Sequence, residues 1–196
     1  MSSVVDICNS ALNQIGASNI ISLSEDSKAA RILNQRFDFV RDSVFRAHPW
    51  NCLTIRVILS PDATAPAFGF DNAFTLPTDP FCLRVLNIRF FDIIHRVEGR
   101  KILCDEDTIE LTYIGRITDV SQYDMLLVES LAAYLAADVA YPLIGSSSLA
   151  QEMRLLYERK LSEARLVDAT EGTPQTLGST TDAGGLEPDA FVRSRF

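Results

Sequence analysis

The chain has 196 residues, of which 47% are hydrophobic, so it can bury one substantial core and is not a disordered polypeptide. Its formal net charge is −8 at pH 7 and its pI is about 4.7, which argues against a protein that grips nucleic acid backbones. The first ten residues lack the basic start and apolar run of a signal peptide. We therefore expect a protein that is made and used inside a cell, or packed there into a larger assembly.

The cysteines and histidines do not form a recognisable ligand set. The four cysteines lie far apart and none is part of a CxxC pair: Cys8, Cys52, Cys82 and Cys104. There are only two histidines, so a zinc site would need ligands from distant elements. We expect buried, reduced thiols, no metal and no cofactor.

The first helix is predicted over about residues 3–16. Ser3 and Asp6 have the spacing of a capping box, in which each side chain bonds to the other's backbone. Apolar residues then recur at spacings of three and four, and Gly16 ends the pattern.

A second helix is predicted over about residues 25–48. Ser24 and the two acids that follow it are typical of a helix start, where the positive end of the dipole favours negative charge. Pro49 ends the helix. Trp50, the only tryptophan, follows directly, and we expect it to plug the core at the helix end.

Over about residues 53–118 the sequence has a pattern typical of strands. Apolar and polar side chains alternate from residue 53 to residue 59, and further strand-like runs follow. Glu98-Gly99-Arg100 reads as a hairpin turn. We predict a small, mostly antiparallel sheet that is inserted between helices.

The most apolar stretch predicts a third helix over about residues 122–143. Ser121 and Asp124 supply its start, and Pro142 and Gly145 close it. Almost no polar face lies between these ends, so the helix belongs at the centre of a bundle or against another subunit. Its expected core residues include Leu131, Tyr134 and Leu135.

Two acids argue against a membrane span for this third helix. Glu129 and Asp138 interrupt it, and each would be costly inside a bilayer. They are nine positions apart, which places them on opposite sides of a helix. We therefore expect a buried, protein-covered helix and no membrane.

A fourth helix is predicted over about residues 147–169, with its cap within 146–148. Its apolar stripe is Leu149, Met153, Leu156, Tyr157, Leu161, Ala164 and Val167. The other side is charged, which is typical of either a solvated face or a subunit contact. The fold class is thus α+β: a mainly helical bundle of about four helices with a small inserted antiparallel β lobe, forming one domain over residues 1–170.

Residues 171–196 differ sharply in composition, being rich in Gly, Thr, Pro and Ser. They contain too few apolar residues to fold alone. Their last residues form an aromatic and basic tip: Phe191, Val192, Arg193, Arg195 and Phe196. This pattern is typical of a flexible tail that docks on a partner, although a frayed terminus has a similar composition.

Catalytic motifs are missing from the sequence. Nucleotide-binding loops of the GxxxxGK[ST] or GxGxxG type, a GxSxG elbow and an HExxH motif are all absent. His48 and His95 are expected to be structural or exposed. The acidic run 105–107 could bind a hard cation, but it reads as a solvated turn. No carboxylate pair is selected by spacing, so we predict that the chain is not an enzyme.

Four blocks in order carry a family resemblance. They are RDSVFRAHPWNC, FTLPTDPFCLRVLNI, VEGRKILCDEDTIELTYIGRITD and YDMLLVESLAAYLAADVAYPL, and they lie within about residues 41–143. In this order and spacing the chain resembles the head-to-tail adaptors, or tail tubular proteins A, of short-tailed bacteriophages. The tail after residue 170 is not covered by these blocks.

The resemblance implies a structural virion protein located in the neck of the particle and assembled in the host cytoplasm. Such adaptors form a dodecameric ring below the portal protein, extend the DNA exit channel and receive the tail nozzle protein. The family fold is a helical bundle with a small β lobe. By position, residues 171–196 would reach the portal, and DNA would pass through the lumen without specific binding.

Two other functions remain open from the sequence. A cell-wall hydrolase that acts on peptidoglycan during DNA delivery would need a carboxylate pair in a cleft. A generic scaffold would bind a partner through its C-terminal peptide without forming rings.

Overall fold

The computed structural model describes residues 3–89 and 93–171. These residues form an α+β fold with four α-helices and six strands. The fold class and the four helices are as the sequence predicts. The helices are α1 (Val4–Gln14), α2 (Lys28–Ala47), α3 (Met125–Ile144) and α4 (Ser147–Thr170). The strands, all between α2 and α3, are β1 (Thr54–Leu59), β2 (Asn72–Thr75), β3 (Cys82–Ile88), β4 (Arg96–Glu98), β5 (Lys101–Cys104) and β6 (Ile109–Gly115).

The β lobe consists of two antiparallel sheets rather than the single sheet we expected. One has the strand order β1-β6-β3 and the other β2-β5-β4. The hairpin turn between β4 and β5 is confirmed, with Gly99 at a φ of 59°. Both sheets contribute to one buried cluster that includes Phe74, Ile102, Leu111 and Tyr113. The alternation of side chains therefore identified the strands, but it could not say which strands pair.

Helix α3 lies in the centre of the bundle, against α1, α2 and α4. Half of its residues are buried, among them Leu131 and Leu135, while Tyr134 is half-buried and stacks on Tyr157 with ring centroids 4.6 Å apart. By length and mean hydropathy (1.4) α3 could cross a membrane, but here its apolar side chains form the bundle core.

The acids of α3 point to different neighbouring helices. Asp138 binds Arg36 of α2 through two hydrogen bonds of 2.6 and 2.9 Å. Glu129 pairs with Lys160 of α4. This confirms that the two acids lie on different sides of the helix. Each acid is paired with a cation of a neighbouring helix.

The helix starts are partly as predicted. The capping box of Ser3 and Asp6 is present, with the Asp6 amide 3.1 Å from Ser3 Oγ. For α2 the cap is Ser27 rather than Ser24, because the two acids belong to the preceding turn, where Glu25 accepts from the amide of Ile21 at 2.8 Å.

The two ends of α3 also correct the prediction. Its cap is Asp124, whose carboxylate accepts from two backbone amides of the first turn. Ser121 belongs to a short 3₁₀ turn just before the helix. Pro142 does not close the helix but lies inside its last turn. Gly145 ends the helix at a φ of 79°, a left-handed conformation that favours glycine.

Trp50 plugs the core at the end of α2, as predicted. Its side chain is buried and its indole nitrogen donates to the carbonyl of Val44 at 3.0 Å. Pro49 itself is exposed; it limits the helix because a residue before proline prefers an extended backbone, and His48 has φ −145° and ψ 149°.

Candidate functional site

The predicted docking tip, formed by Phe191, Val192, Arg193, Arg195 and Phe196, lies outside the described residues. The structure does describe the point from which residues 172–196 continue. That point is the last turn of α4, which ends at Thr170.

The last turn of α4 is fixed to the corner between α2 and β1 by a buried carboxylate. Asp168 Oδ2 lies 2.8 Å from His48 Nε2, and Asp168 Oδ1 accepts from the backbone amide of Asn51 at 3.0 Å. The Asn51 side chain in turn donates to the carbonyl of Asp168 at 2.7 Å. We call His48, Asn51 and Asp168 the clasp.

Two further contacts connect the region of the clasp to the end of α2 and to Trp50. Arg165 donates to the carbonyl of Ala47 at 2.8 Å, and the His48 ring meets Trp50 edge to face at 4.9 Å. The end of α4 is therefore tied directly to the core plug, and the tail begins from a fixed position.

Sequence reasoning missed Asp168. It placed Val167 in the apolar stripe of α4, but Val167 is 41% exposed and Asp168 is 9% exposed. The spacing could have identified Asp168 as a residue of the buried face, because it follows the buried Leu161 and Ala164 at intervals of seven and four. Its partners lie 117 and 120 positions away, so nothing local could identify them.

A second feature is a concavity of about 450 Å³ beside β3 and the β4–β5 hairpin, which we call the arginine groove. Its lining includes three cationic and three apolar side chains: Arg46, Arg84, Arg100, Phe81, Val85 and Val97. The cations come from the end of α2, from β3 and from the β4–β5 turn. The sequence prediction missed this groove, since only the fold brings these three elements together.

The three groove arginines are held by neutral acceptors. Arg46 donates to the carbonyl of Leu83, and Arg84 donates to the carbonyl of Arg46 at 3.1 Å. Arg100 donates to the carbonyls of Cys82 and Pro77 at 2.9 and 2.7 Å. Within residues 3–89 and 93–171, none of the three forms an ion pair with a carboxylate, so their positive charges stay uncompensated.

The neighbouring cations have acidic partners and serve the packing of the lobe on the bundle. Arg116 pairs with Asp42 of α2 at 2.5 Å, and Asp42 also pairs with the buried Arg41 at 2.9 Å. Arg116 and Arg100 both lie over the ring of Phe81, at 4.5 and 3.8 Å from its centroid. This network joins the lobe to α2 next to the groove.

A third feature is the outer face of α4. Leu155 and Leu166 are 59% and 69% exposed. They are eleven positions apart, so they lie on the same side of the helix. Since both large apolar side chains are left in solvent, we treat this face as a candidate contact surface.

The two histidines and the acidic run 105–107 lie in structural or exposed positions, as expected. His48 belongs to the clasp, and His95 is exposed, with Nδ1 3.1 Å from the carbonyl of Ile93. The acidic run 105–107 is exposed and forms a turn, in which Asp105 accepts from the amide of Asp71 at 2.9 Å. Among the described residues, no group of three or more His, Cys, Asp or Glu could hold a metal ion.

The cysteines are free thiols, three of them buried and Cys52 half-buried. Burial raises the pKa of Cys8 to about 12. Burial also raises the pKa values of Cys52, Cys82 and Cys104. Because the thiolate is the reactive form, these groups are poor nucleophiles at neutral pH.

Comparison with known proteins does not assign the chain to a family. No family model matches it, and no curated protein matches it.

Proposed function

We propose that the chain is a structural virion protein: a head-to-tail adaptor that forms a ring between the portal and the tail nozzle and extends the DNA exit channel. The observation that carries the proposal is the clasp, since it fixes the start of residues 172–196 on the folded domain. A flexible docking tail that leaves from a fixed point restricts its tip to a limited region of a partner.

The positions of the resembling blocks support the same proposal. The first block, residues 41–52, forms the end of α2, the core plug and two members of the clasp. The next two form β2 to β6, and the last forms α3. The residues that carry the resemblance thus form the centre of the bundle, the lobe and the anchor of the tail.

A closed ring needs two different side surfaces on every subunit, because each copy contacts two neighbours. The buried position of α3 leaves little of its apolar surface for this purpose. We therefore assign one side surface to the outer face of α4, where Leu155 and Leu166 are exposed. The neighbouring copy would cover them.

The charge of the chain suits a DNA conduit. With a net charge of −8, a ring of copies repels phosphates and lets a duplex slide, whereas a basic lumen would hold it. This argument concerns the whole subunit and does not assign particular acids to the lumen.

The test is assembly on the portal. Light scattering and negative-stain images of the purified chain, with and without portal protein, should show rings attached to the portal. A chain that stays monomeric on the portal would contradict the proposal. Binding through the tail without rings would instead indicate a generic scaffold, and turbidity loss of a peptidoglycan suspension, abolished by one Asp or Glu substitution, would indicate a cell-wall hydrolase.

A further inference from the structure

We infer that the arginine groove binds an extended acidic peptide segment of a partner protein, and that the segment lies along the exposed edge of β4. This site is separate from the outer face of α4. It does not depend on the proposed ring.

The first argument is charge. The chain as a whole is acidic, with a net charge of −8, yet Arg46, Arg84 and Arg100 converge on one groove. Their partners are backbone carbonyls, which orient the guanidinium groups without neutralising them. A guanidinium has five N–H donors. Each of these three arginines therefore keeps donors for a carboxylate, and such charge-assisted bonds are roughly twice as strong as neutral ones.

Two of these arginines also affect the pKa of Cys82, a residue of the groove lining. Burial raises the pKa of Cys82, and the charges of Arg100 and Arg46 act against that rise. Arg100 and Arg46 therefore favour a negative charge at the Cys82 sulfur, which belongs to a residue of the groove lining.

The second argument is backbone geometry. β4 pairs with β5 and is the last strand in the order β2-β5-β4, so its other edge carries no strand within the described chain. Val97, in the middle of β4, lines the groove and is 48% exposed. An open edge beside a groove is the arrangement that accepts an added strand from another chain.

The two arguments together define the ligand. In an extended peptide, alternate side chains point to the same side. Carboxylates at alternate positions would all face the guanidinium groups, while the peptide backbone extends the sheet at β4. The groove of about 450 Å³ then holds the acidic side chains, with the exposed Val97 packing against their stems.

The experiment uses the full chain and fluorescein-labelled octapeptides, with anisotropy as the measurement. The acidic probe alternates Asp and Val, the basic probe alternates Lys and Val, and a third is the acidic probe with every second amide methylated. We expect saturable binding of the acidic probe only, and weaker binding after methylation because the added strand loses its donors.

The double variant Arg46→Gln, Arg84→Gln should weaken binding of the acidic probe by about tenfold or more, since it removes two charged donors. Both side chains are exposed and bond only to carbonyls, so the fold should persist by circular dichroism. Arg56→Gln is the matched control, because Arg56 is exposed on β1 outside the groove. It should bind as the unmodified chain does.

The inference would be overturned by no saturable binding of the acidic probe, equal binding of the basic or the methylated probe, or an equal loss in Arg56→Gln. The chain's own tail is the competing occupant, since it carries Glu187 and Asp189 at alternate positions. If Glu187→Gln with Asp189→Gln raised the affinity for the acidic probe, the groove would belong to the tail and not to a partner.

Discussion

Trp50 contacts α2, the clasp and the start of the β lobe. It is fully buried, donates to α2 through the carbonyl of Val44 and contacts His48 of the clasp. Its backbone carbonyl also accepts from the hydroxyl of Thr54 at the start of β1, at 2.8 Å. One residue thus joins helix, clasp and lobe.

We expect Trp50→Ala to lower the free energy of unfolding by about 3–5 kcal/mol, because it leaves a large cavity and an unpaired carbonyl. Trp50→Phe should cost less, since it keeps most of the ring contacts. Urea denaturation followed by circular dichroism measures both. A loss below about 1 kcal/mol for Trp50→Ala would mean that the indole contributes little packing.

Two buried weak acids, Cys8 and Tyr123, predict that the free energy of unfolding falls at alkaline pH. Burial raises the pKa of Cys8 from 9.0 to about 12 and that of Tyr123 from 10.0 to about 12. Above pH 9 and pH 10 the unfolded chain releases these protons while the folded chain retains them. The unfolded state therefore binds fewer protons, so stability is complete at neutral pH and falls as pH rises toward 12.

The measurement is the urea midpoint between about pH 7.5 and about pH 10.5, where it should fall steadily. Cys8→Ala with Tyr123→Phe should be less stable at neutral pH but should show a flatter pH dependence. An equally steep fall in the double variant would assign the alkaline effect to other groups.

At the scale of elements, what could be predicted depended on whether the signal was local. The capping box of Ser3, the role of Trp50 and the burial of α3 all follow from residues within one or two turns. The clasp and the arginine groove do not, because Asp168 and Arg84 meet partners that only the folded chain brings near. The pairing of strands into two sheets is non-local for the same reason.

Helix α3 depends on small side chains for its close packing. Ala132, Ala133, Ala136 and Ala140 are fully buried where α3 faces its neighbours. We expect Ala136→Leu to destabilise the chain by about 2 kcal/mol or more, because the added atoms have no space in a packed core. Ala169→Leu, at an exposed position of α4, is the control and should change the urea midpoint little.

The outer face of α4 can be tested without harming the fold. Leu155→Asp with Leu166→Asp changes two exposed side chains, so the thermal midpoint should stay nearly constant. If this face lies between copies, the charges would be buried on assembly and rings on the portal should be lost. Asn34→Asp with Gln35→Asp, at two exposed positions of α2, is the control for charge alone and should keep the rings. Rings that persist in the Leu155 and Leu166 double variant would exclude α4 from the interface.

At the scale of the whole molecule, bundle and lobe behave as one body in their packing. Leu83 of β3 and Ile114 of β6 belong to the same buried cluster as the helices, and the pair of Arg116 and Asp42 closes the junction. Residues 171–196 contain too few apolar side chains to form a core of their own.

Deletion of residues 171–196 should therefore leave the urea midpoint almost unchanged while it weakens attachment to the portal. Sedimentation of the shortened chain with portal protein measures the second effect. Substituting Phe191, Arg193, Arg195 and Phe196 by alanine in the full chain should reproduce it. Equal portal affinity in both forms would remove the docking role of the tail.

The clasp also has a mechanical consequence. A pull on the tail enters the domain at the end of α4 and meets Asp168, whose bonds to His48 and Asn51 must break before the helix can peel away. These bonds share the load, and the residues behind them pass it to the indole of Trp50 in the core. A chain that hangs by its tail would thus transmit tension to a buried residue of the core instead of fraying from the end of the helix.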